Sequence, residues 1–198
     1  MSGFPVLGDQ IPLRHSPFLR ALGHAALRSL RWRVEGEVPN LPKLVIAVAP
    51  HTSNWDFVVG IAAMFALDLR LAFLGKHTLF RWPFGALLRW MGGIPVNRAS
   101  PQGVVGDSVA AFARVERRIL AIAPEGTRRQ VGQFKSGFLQ IARGAGVPVV
   151  LASLDYAARC VRLGPAFTPG EDVEADRRRT EAFFAPVRGR KSRSHQSA

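Results

Sequence analysis

A short apolar run, residues 44–49, leads directly into the polar heptapeptide PHTSNWD at residues 50–56. An apolar run of this length with polar residues at its end predicts a buried β-strand. Within the heptapeptide, Ser53 precedes Asp56 by three residues and an apolar segment follows, which is the pattern of a capping box at the start of a helix. The sequence therefore predicts a strand, a loop that contains His51, and a helix whose first turn contains Asp56.

His51 and Asp56 in this arrangement can act as a pair that removes a proton from a hydroxyl group. Neutral imidazole is a general base suited to neutral pH, and a carboxylate at its other ring nitrogen fixes the tautomer and stabilises the imidazolium. Positions five apart on one helix differ by about 140°, so the two side chains meet only if the histidine precedes the helix. The other interpretation is a helix cap beside a histidine without a chemical role, and the motif alone does not separate the two.

Two later segments also place polar residues directly after a short apolar strand. Residues 92–98 read GGIPVNR, and residues 119–128 read ILAIAPEGTR. In open α/β sheets, ligands bind outside the carboxyl ends of the strands, so the three polar clusters are predicted to share one crevice. The candidate binding residues in the two later clusters are Arg98, Glu125, Gly126, Thr127 and Arg128.

These residue types suit an anionic substrate that carries a hydroxyl group. The planar guanidinium groups of Arg98 and Arg128 can each bind phosphate through two hydrogen bonds. Gly126 lets the backbone approach a ligand closely, and Glu125 can orient an acceptor hydroxyl. Taken singly, Pro-Glu-Gly is also an ordinary turn, and each arginine is also an ordinary surface charge.

The order of the blocks H-x4-D, GIPVNR, PEGTR and VPVV resembles the glycerolipid acyltransferase family. The best-known members of that family are the 1-acylglycerol-3-phosphate acyltransferases. The resemblance runs from about residue 45 to residue 154, and the order and spacing of the blocks make it more specific than any single block.

The resemblance implies an O-acyltransferase of phospholipid biosynthesis. His51 and Asp56 would activate an acceptor hydroxyl for attack on an acyl thioester, supplied as acyl-CoA or acyl carrier protein. Arg98, Glu125 and Arg128 would bind the glycerol phosphate of the acceptor, together with the rest of the third block.

Three positions depart from the family pattern. Pro50 stands where many members have asparagine, Leu151 stands where the fourth block has a second proline, and Pro95 stands where bulky residues are common. The catalytic pair is unaffected, but the choice of acceptor stays open. The first candidate is 1-acylglycerol-3-phosphate, and another lysophospholipid or an amino-acid-based lyso-lipid are the alternatives.

Composition fits an enzyme that handles anionic lipids. The 198 residues have room for one domain with a sizeable core. The net charge is +13, and residues 70–143 contain twelve Lys and Arg against three acidic residues. We therefore expect coenzyme A phosphates, acyl carrier protein or phospholipid headgroups as partners, although an arginine-rich genome is a second source of this charge. The one cysteine, Cys160, allows no internal disulfide, and we expect no metal and no bound cofactor.

Two segments suggest contact with a membrane surface. Residues 17–33 predict a helix with a basic and an apolar face, and residues 79–90 interleave aromatic residues with arginines. The basic face comprises Arg20, His24, Arg28 and Arg31. The opposite face comprises Phe18, Leu22, Ala25, Ala26 and Trp32. Such a helix can lie in the lipid interface or pack on the domain, and residues 79–90 can equally be part of a core helix.

No apolar stretch reaches the roughly 20 residues that span a bilayer. Asp9, Pro12 and Arg14 also interrupt any apolar core of a signal peptide. The expected location is therefore cytoplasmic, peripheral to the inner face of the cell membrane.

The remaining segments predict alternating helices and strands. Helices are expected over residues 101–118, from about residue 134 to 144, and over residues 174–184, with a buried strand over residues 147–154. This alternation predicts an α/β fold, a single domain with a mostly parallel mixed sheet flanked by helices. The predicted division is an amphipathic segment 1–33, an acyltransferase domain 34–187 and a basic disordered tail 188–198.

Two other functions were weighed against acyl transfer. A thioester hydrolase would use water at the same His–Asp pair, although the chain has no GxSxG nucleophile motif. A non-catalytic binder of anionic membranes or of nucleic acid is the second alternative. Nucleic acid is not an expected partner, because the basic residues accompany no recognisable reading motif.

Overall fold

The computed structural model describes residues 4–96, 101–126 and 134–190. Seven strands form one sheet. They are β1 (Arg33–Gly36), β2 (Lys43–Ala49), β3 (Leu71–Lys76), β4 (Gly93–Val96), β5 (Arg118–Ile122), β6 (Val149–Asp155) and β7 (Cys160–Phe167). Their order across the sheet is β1-β7-β6-β2-β5-β3-β4, and every neighbouring pair is parallel except the hairpin of β6 and β7. The predicted α/β class with a mostly parallel mixed sheet is confirmed.

Helices cover both faces of this sheet. They are α1 (Pro17–Ser29), α2 (Asn54–Ala66), α3 (Gly85–Trp90), α4 (Pro101–Ala113), α5 (Gly137–Ala145) and α6 (Val173–Phe184). A 3-10 turn, His77–Phe80, precedes α3. One apolar core lies between the sheet and the layer of α1, α2 and α3, and a second lies between the sheet and α4, α5 and α6. Among the described residues, no helix combines the length and the apolar character needed to cross a membrane.

Parallel pairing brings the predicted polar clusters to one edge of the sheet. The strands β2, β4 and β5 run in the same direction, so their last residues, Ala49, Val96 and Ile122, lie at the same edge of the sheet. The strand β5 lies directly beside β2, whereas β4 is three positions from β2. At a strand spacing of about 4.8 Å, the end of β4 starts roughly 14 Å from the end of β2.

Three strands, β1, β3 and β7, are not predicted from the sequence, and two helices are shorter than predicted. The short strand β1 begins at residue 33, the last residue of the segment expected to be helical, and β3 is a half-buried strand between two other strands. The strand β7 is the second strand of the hairpin with β6. The helix α4 ends at Ala113 rather than at residue 118, because Arg118 already begins β5.

Helix α1 ends at Ser29 rather than at residue 33 because the chain reverses there. Arg31 adopts a left-handed conformation with φ 57°, and the Trp32 N–H donates to the Leu27 carbonyl at 2.8 Å. This is the hydrogen bond of a Schellman motif, which closes a helix C-terminus. Trp32 then enters the core, where it is 8% exposed.

The predicted division of α1 into a basic face and an opposite apolar face is therefore wrong in part. Leu27 and Gly23 pack toward α2, whereas Phe18 and Leu22 remain 75% and 49% exposed. His24, expected on the basic face, lies 2.9 Å through Nε2 from the Ala66 carbonyl oxygen at the end of α2. The projection failed because a sequence does not show which side of an amphipathic helix its neighbour occupies.

The crossing of α1 and α2 requires a glycine at position 23. A Cβ atom there would lie 2.3 Å from the Ala66 backbone nitrogen and 2.7 Å from the Ala62 carbonyl oxygen. Gly60, by contrast, has open space around the position of its Cβ. The two glycines thus form a matched pair for testing this contact.

We expect Gly23→Ala to lower the free energy of unfolding by about 1–3 kcal/mol, because overpacking forces the two helices apart. Gly60→Ala should raise it by about 0.5–1 kcal/mol, because alanine favours the helix. Urea unfolding of both variants measures the difference. A neutral Gly23→Ala would contradict this close packing.

Candidate active site

The turn after β2 holds a buried carboxylate at the start of α2. Ser53 is the N-cap of α2, and its Oγ accepts a hydrogen bond from the Trp55 N–H at 3.2 Å. The side chain of Asp56 completes the capping box. Its Oδ2 accepts hydrogen bonds from the backbone N–H groups of Thr52 and Ser53, both at 2.5 Å, and its Oδ1 accepts one from the Ser53 hydroxyl at 3.0 Å. The predicted capping box is confirmed.

The same carboxylate faces His51. Nδ1 of His51 lies 3.8 Å from Oδ2 of Asp56. The Asp56 side chain is fully buried, whereas that of His51 is 31% exposed. Asp56 is thus both a helix cap and the neighbour of the loop histidine. A buried carboxylate beside an accessible imidazole is an arrangement in which the acid can orient a base.

Glu125 joins the third polar cluster to this turn. It is 8% exposed, and its Oε2 accepts the backbone N–H of His51 at 3.1 Å. The contact exists because β5, which precedes Glu125, is the direct neighbour of β2. Glu125 therefore helps to hold the histidine loop, a role that the sequence does not indicate.

Gly126 occupies a position with φ 69°, in the left-handed region that favours glycine. A Cβ atom there would lie 2.9 Å from Cδ and 3.0 Å from Cε of Lys135. The Lys135 N–H also donates to the Pro124 carbonyl at 2.8 Å. A lysine side chain thus lies against the third cluster and adds positive charge beside it.

The other predicted binding residues, Arg98, Thr127 and Arg128, lie outside the described residues. The described chain stops at Val96 before the first of them and at Gly126 before the other two. Their proposed roles stay predictions.

Tyr156 is a site residue that the sequence analysis missed. Its hydroxyl donates a hydrogen bond to Oδ1 of Asp56 at 2.7 Å. Burial, followed by the hydrogen bond to Asp56, raises the pKa of Tyr156 to about 12, so the phenol stays protonated at neutral pH. The available signal was its position two residues after a predicted strand, 147–154, at the edge where the other clusters gather.

The start of the predicted basic tail lies across the histidine turn. The Arg188 carbonyl accepts the Tyr156 N–H at 2.9 Å, and the Arg190 guanidinium lies 4.9 Å from the ring centre of Trp55. A Cβ atom at Gly189 would lie 2.8 Å from Cγ2 of Thr52. Residues 188–190 therefore belong to the surroundings of the site.

Two cavities border these elements. A cavity of about 260 Å³ lies between β3, β4, β5 and α4, and its wall combines apolar side chains such as Leu74 and Leu120 with Asp107 and Arg118. A more open groove of about 420 Å³ is lined by Trp55 and Tyr156 together with Arg159 and Arg190. The groove borders the turn that carries His51, since Trp55 and Tyr156 belong to the surroundings of that turn.

The described part of the chain contains no recognisable set of metal ligands. Residues 4–96, 101–126 and 134–190 contain no group of three or more His, Cys, Asp or Glu side chains placed to hold an ion. Cys160 is buried, and burial raises the pKa of its thiol to about 11. This keeps the thiol protonated and unreactive at neutral pH.

Comparison with known families identifies the family of this chain. The model of the Acyltransferase family matches residues 31–154, which include β2, the histidine turn, β5 and nearly all of β6. The chain belongs to the Acyltransferase family. The resemblance inferred from the four sequence blocks is confirmed.

Relatives of this acyltransferase-family chain carry names from glycerolipid synthesis. A probable 1-acyl-sn-glycerol-3-phosphate acyltransferase of Mycoplasma pneumoniae is 30% identical over 161 residues, which cover 72% of this chain and 58% of the relative. A 1-acyl-sn-glycerol-3-phosphate acyltransferase of Streptococcus pneumoniae is 28% identical, covering 61% of this chain and 48% of the relative. The chain thus spans about half the length of these two relatives.

A solved structure has the same fold. The crystal structure of the 1-acyl-sn-glycerophosphate acyltransferase from Thermotoga maritima matches with a TM-score of 0.57 and 21% identity, covering 87% of this chain and 80% of that chain. At this identity, the likeness supports the architecture of the acyltransferase-family domain.

Proposed function

We propose that this protein is an O-acyltransferase that moves a fatty acyl group from an acyl thioester to the hydroxyl of a lysophospholipid-type acceptor. The observation that carries the proposal is the pair of a buried Asp56 and an accessible His51, 3.8 Å apart, at the carboxyl end of β2. Membership of the Acyltransferase family and the names of the relatives support the same chemistry. The first acceptor to test is 1-acylglycerol-3-phosphate.

His51 acts as the general base in this proposal. Its Nδ1 faces Asp56, and its Nε2 takes the proton of the acceptor hydroxyl as the oxygen attacks the thioester carbonyl. The new C–O bond forms, the C–S bond breaks, and the imidazolium returns the proton to the departing thiolate. No acyl-enzyme is formed, and the negative charge of Asp56 stabilises the imidazolium during the reaction. We expect the 3.8 Å separation to shorten when substrate binds, because catalytic contacts are often long in free enzymes and tighten in the substrate complex.

Binding of the acceptor is assigned to the basic residues of the second and third clusters. Arg98 and Arg128 hold the phosphate, and Lys135 adds charge beside Gly126. Glu125, Gly126 and Thr127 complete the acceptor site, with Glu125 also fixing the His51 loop. The apolar part of the cavity beside β4, formed by Leu74, Val96 and Leu120, is assigned to a hydrocarbon chain.

Replacing His51 tests the reaction. His51→Ala should lose roughly 10²–10⁴-fold in kcat, the usual contribution of a general base, while α2 keeps its cap. The assay supplies labelled acyl-CoA or acyl-loaded carrier protein with a panel of lyso-lipids and follows label into diacyl lipid.

The control is His77→Ala, which removes an exposed histidine from the 3-10 turn. It should keep its activity within about twofold. Label released as free fatty acid by the wild type, with none in diacyl lipid, would mean hydrolysis. An unchanged kcat in folded His51→Ala would show that His51 is not the general base.

Replacing Arg128 tests the acceptor. We expect Arg128→Ala to raise the KM for 1-acylglycerol-3-phosphate about tenfold or more, because a charge-assisted pair with phosphate is lost. The effect should shrink for a lyso-lipid acceptor without phosphate. Equal losses with both acceptors would assign Arg128 a structural role and reopen the choice of substrate.

The proposed location is the inner surface of the cell membrane, reached without a spanning segment. Exposed large apolar side chains gather on the layer of α1, α2 and α3 and on the segments that join them. They are Phe18, Leu22, Trp55, Val58, Leu79, Trp82, Phe84, Leu87 and Trp90. Arg14 links the parts of this surface, since its guanidinium lies 5.7 Å from the ring centre of Trp90 and the α1 N-cap follows two residues later. Aromatic side chains beside cations suit the headgroup boundary.

Flotation with anionic vesicles tests this attachment. Binding should weaken at high salt, because each basic residue near an anionic surface contributes about 1 kcal/mol. The double replacements Phe18→Ser/Leu22→Ser and Trp82→Ser/Phe84→Ser should each reduce binding, whereas Val115→Ser, on the other layer, should not.

A triple replacement separates the two segments. If glutamate at Arg20, Arg28 and Arg31 leaves binding intact, the attachment belongs to residues 79–90. Binding that survives all of these replacements would contradict the proposed surface.

A further inference from the structure

We propose that Tyr156 is a positioning residue of the active site, which holds the Asp56 carboxylate so that one of its oxygens faces His51. This inference rests on the proposed function. It starts from a single contact, the 2.7 Å hydrogen bond from the Tyr156 hydroxyl to Oδ1 of Asp56.

The four hydrogen bonds to the Asp56 carboxylate divide into two kinds. Three come from the same turn, from the Thr52 N–H, the Ser53 N–H and the Ser53 hydroxyl. The fourth comes from Tyr156, one hundred residues away along the chain. The turn alone satisfies the cap, so the tyrosine hydroxyl is not needed to start α2.

The two oxygens of the carboxylate have different neighbours. Oδ2 accepts the two backbone N–H groups of the turn and lies 3.8 Å from Nδ1 of His51. Oδ1 points the other way and accepts the hydroxyls of Ser53 and Tyr156. By holding Oδ1, Tyr156 prevents the carboxylate from turning about its last bond and keeps Oδ2 toward the imidazole.

The register of the sheet determines where Tyr156 lies. Ala49 of β2 pairs with Ser153 of β6. Thr52 follows Ala49 by three residues, and Tyr156 follows Ser153 by three residues. Because the two strands are parallel, both residues lie just beyond the same edge of the sheet. The Tyr156 ring is held by an edge contact to Trp32, with ring centres 4.8 Å apart, and its N–H donates to the Arg188 carbonyl at 2.9 Å. The phenol is thus a rigid donor, in keeping with the need to hold catalytic groups through packed supporting residues.

Tyr156→Phe removes only the hydroxyl and keeps the ring against Trp32. We expect kcat to fall about tenfold, because a hydrogen bond to a charged group is lost and the base is less well oriented. The KM values for donor and acceptor should change less than about twofold, since the hydroxyl is directed at Asp56 rather than at a substrate. The matched control is Ser153→Ala, which removes a buried hydroxyl that lies 3.5 Å from the Arg162 carbonyl oxygen on the same hairpin. It should leave kcat and KM unchanged.

A double-mutant cycle tests whether Tyr156 affects kcat through Asp56. In an Asp56→Asn background, Tyr156→Phe should cost less than about twofold, because the group it positions is already altered. An unchanged kcat in Tyr156→Phe, an equal loss in both backgrounds, or a loss confined to KM would each overturn the inference.

A second measurement needs no substrate, because Tyr156 is the only tyrosine of the chain. The phenol absorbance of the folded protein should titrate well above the ordinary tyrosine pKa of 10.0, with a pKa of about 12. The charged groups that act on the phenol are Asp56, which raises its pKa, and Arg190, which lowers it. Asp56→Asn should therefore lower the pKa of the phenol, and a phenol pKa that Asp56→Asn leaves unchanged would overturn the contact. A wild type without transferase activity would instead reject the proposed function, so the two failures are distinguishable.

Discussion

The structure of the site depends on one buried negative charge. A carboxylate taken out of water is very costly unless hydrogen bonds replace its hydration. Asp56 is fully buried, and four donors within 3.0 Å surround its two oxygens. These donors define the shape of the turn, the first residue of α2 and the position of the β6–β7 connection. The charge that would stabilise a catalytic imidazolium is thus also what orders its own surroundings.

This arrangement lets one residue cap a helix and also face the histidine that we propose as the base. A capping carboxylate normally faces the open N–H groups of its own helix, and it has lone pairs left over. Here the remaining capacity is used by Tyr156 on one oxygen and by the approach of His51 to the other. The cap and the His51 contact share the oxygen Oδ2, which accepts the two backbone N–H groups of the turn and faces the imidazole. A replacement of Asp56 alone would therefore disturb both, whereas Tyr156→Phe leaves the three hydrogen bonds from the turn in place.

The order of the strands decides which clusters touch. Because β5 and β6 flank β2, the residues that follow them, Glu125 and Tyr156, reach the His51 turn directly. The second cluster follows β4, which is separated from β2 by β5 and β3. The end of β4 therefore starts three strand spacings, roughly 14 Å, from the end of β2.

The sequence by itself determined the local elements of this protein. The apolar run before PHTSNWD, the capping box and the alternation of strands and helices specify a parallel α/β sheet, because strand and helix periodicity and cap chemistry are properties of neighbouring residues. The order of the four blocks was enough to predict the family. Only the tertiary structure decided which distant residues lie together. It places β3 between β4 and β5 and Trp32 in the core. It also places Gly23 at the crossing of α1 and α2, and the Tyr156 hydroxyl against Asp56. Those contacts join residues many tens of positions apart. No local pattern contains them, because they follow from sheet order and register, which the chain sets only when all of its strands pack together.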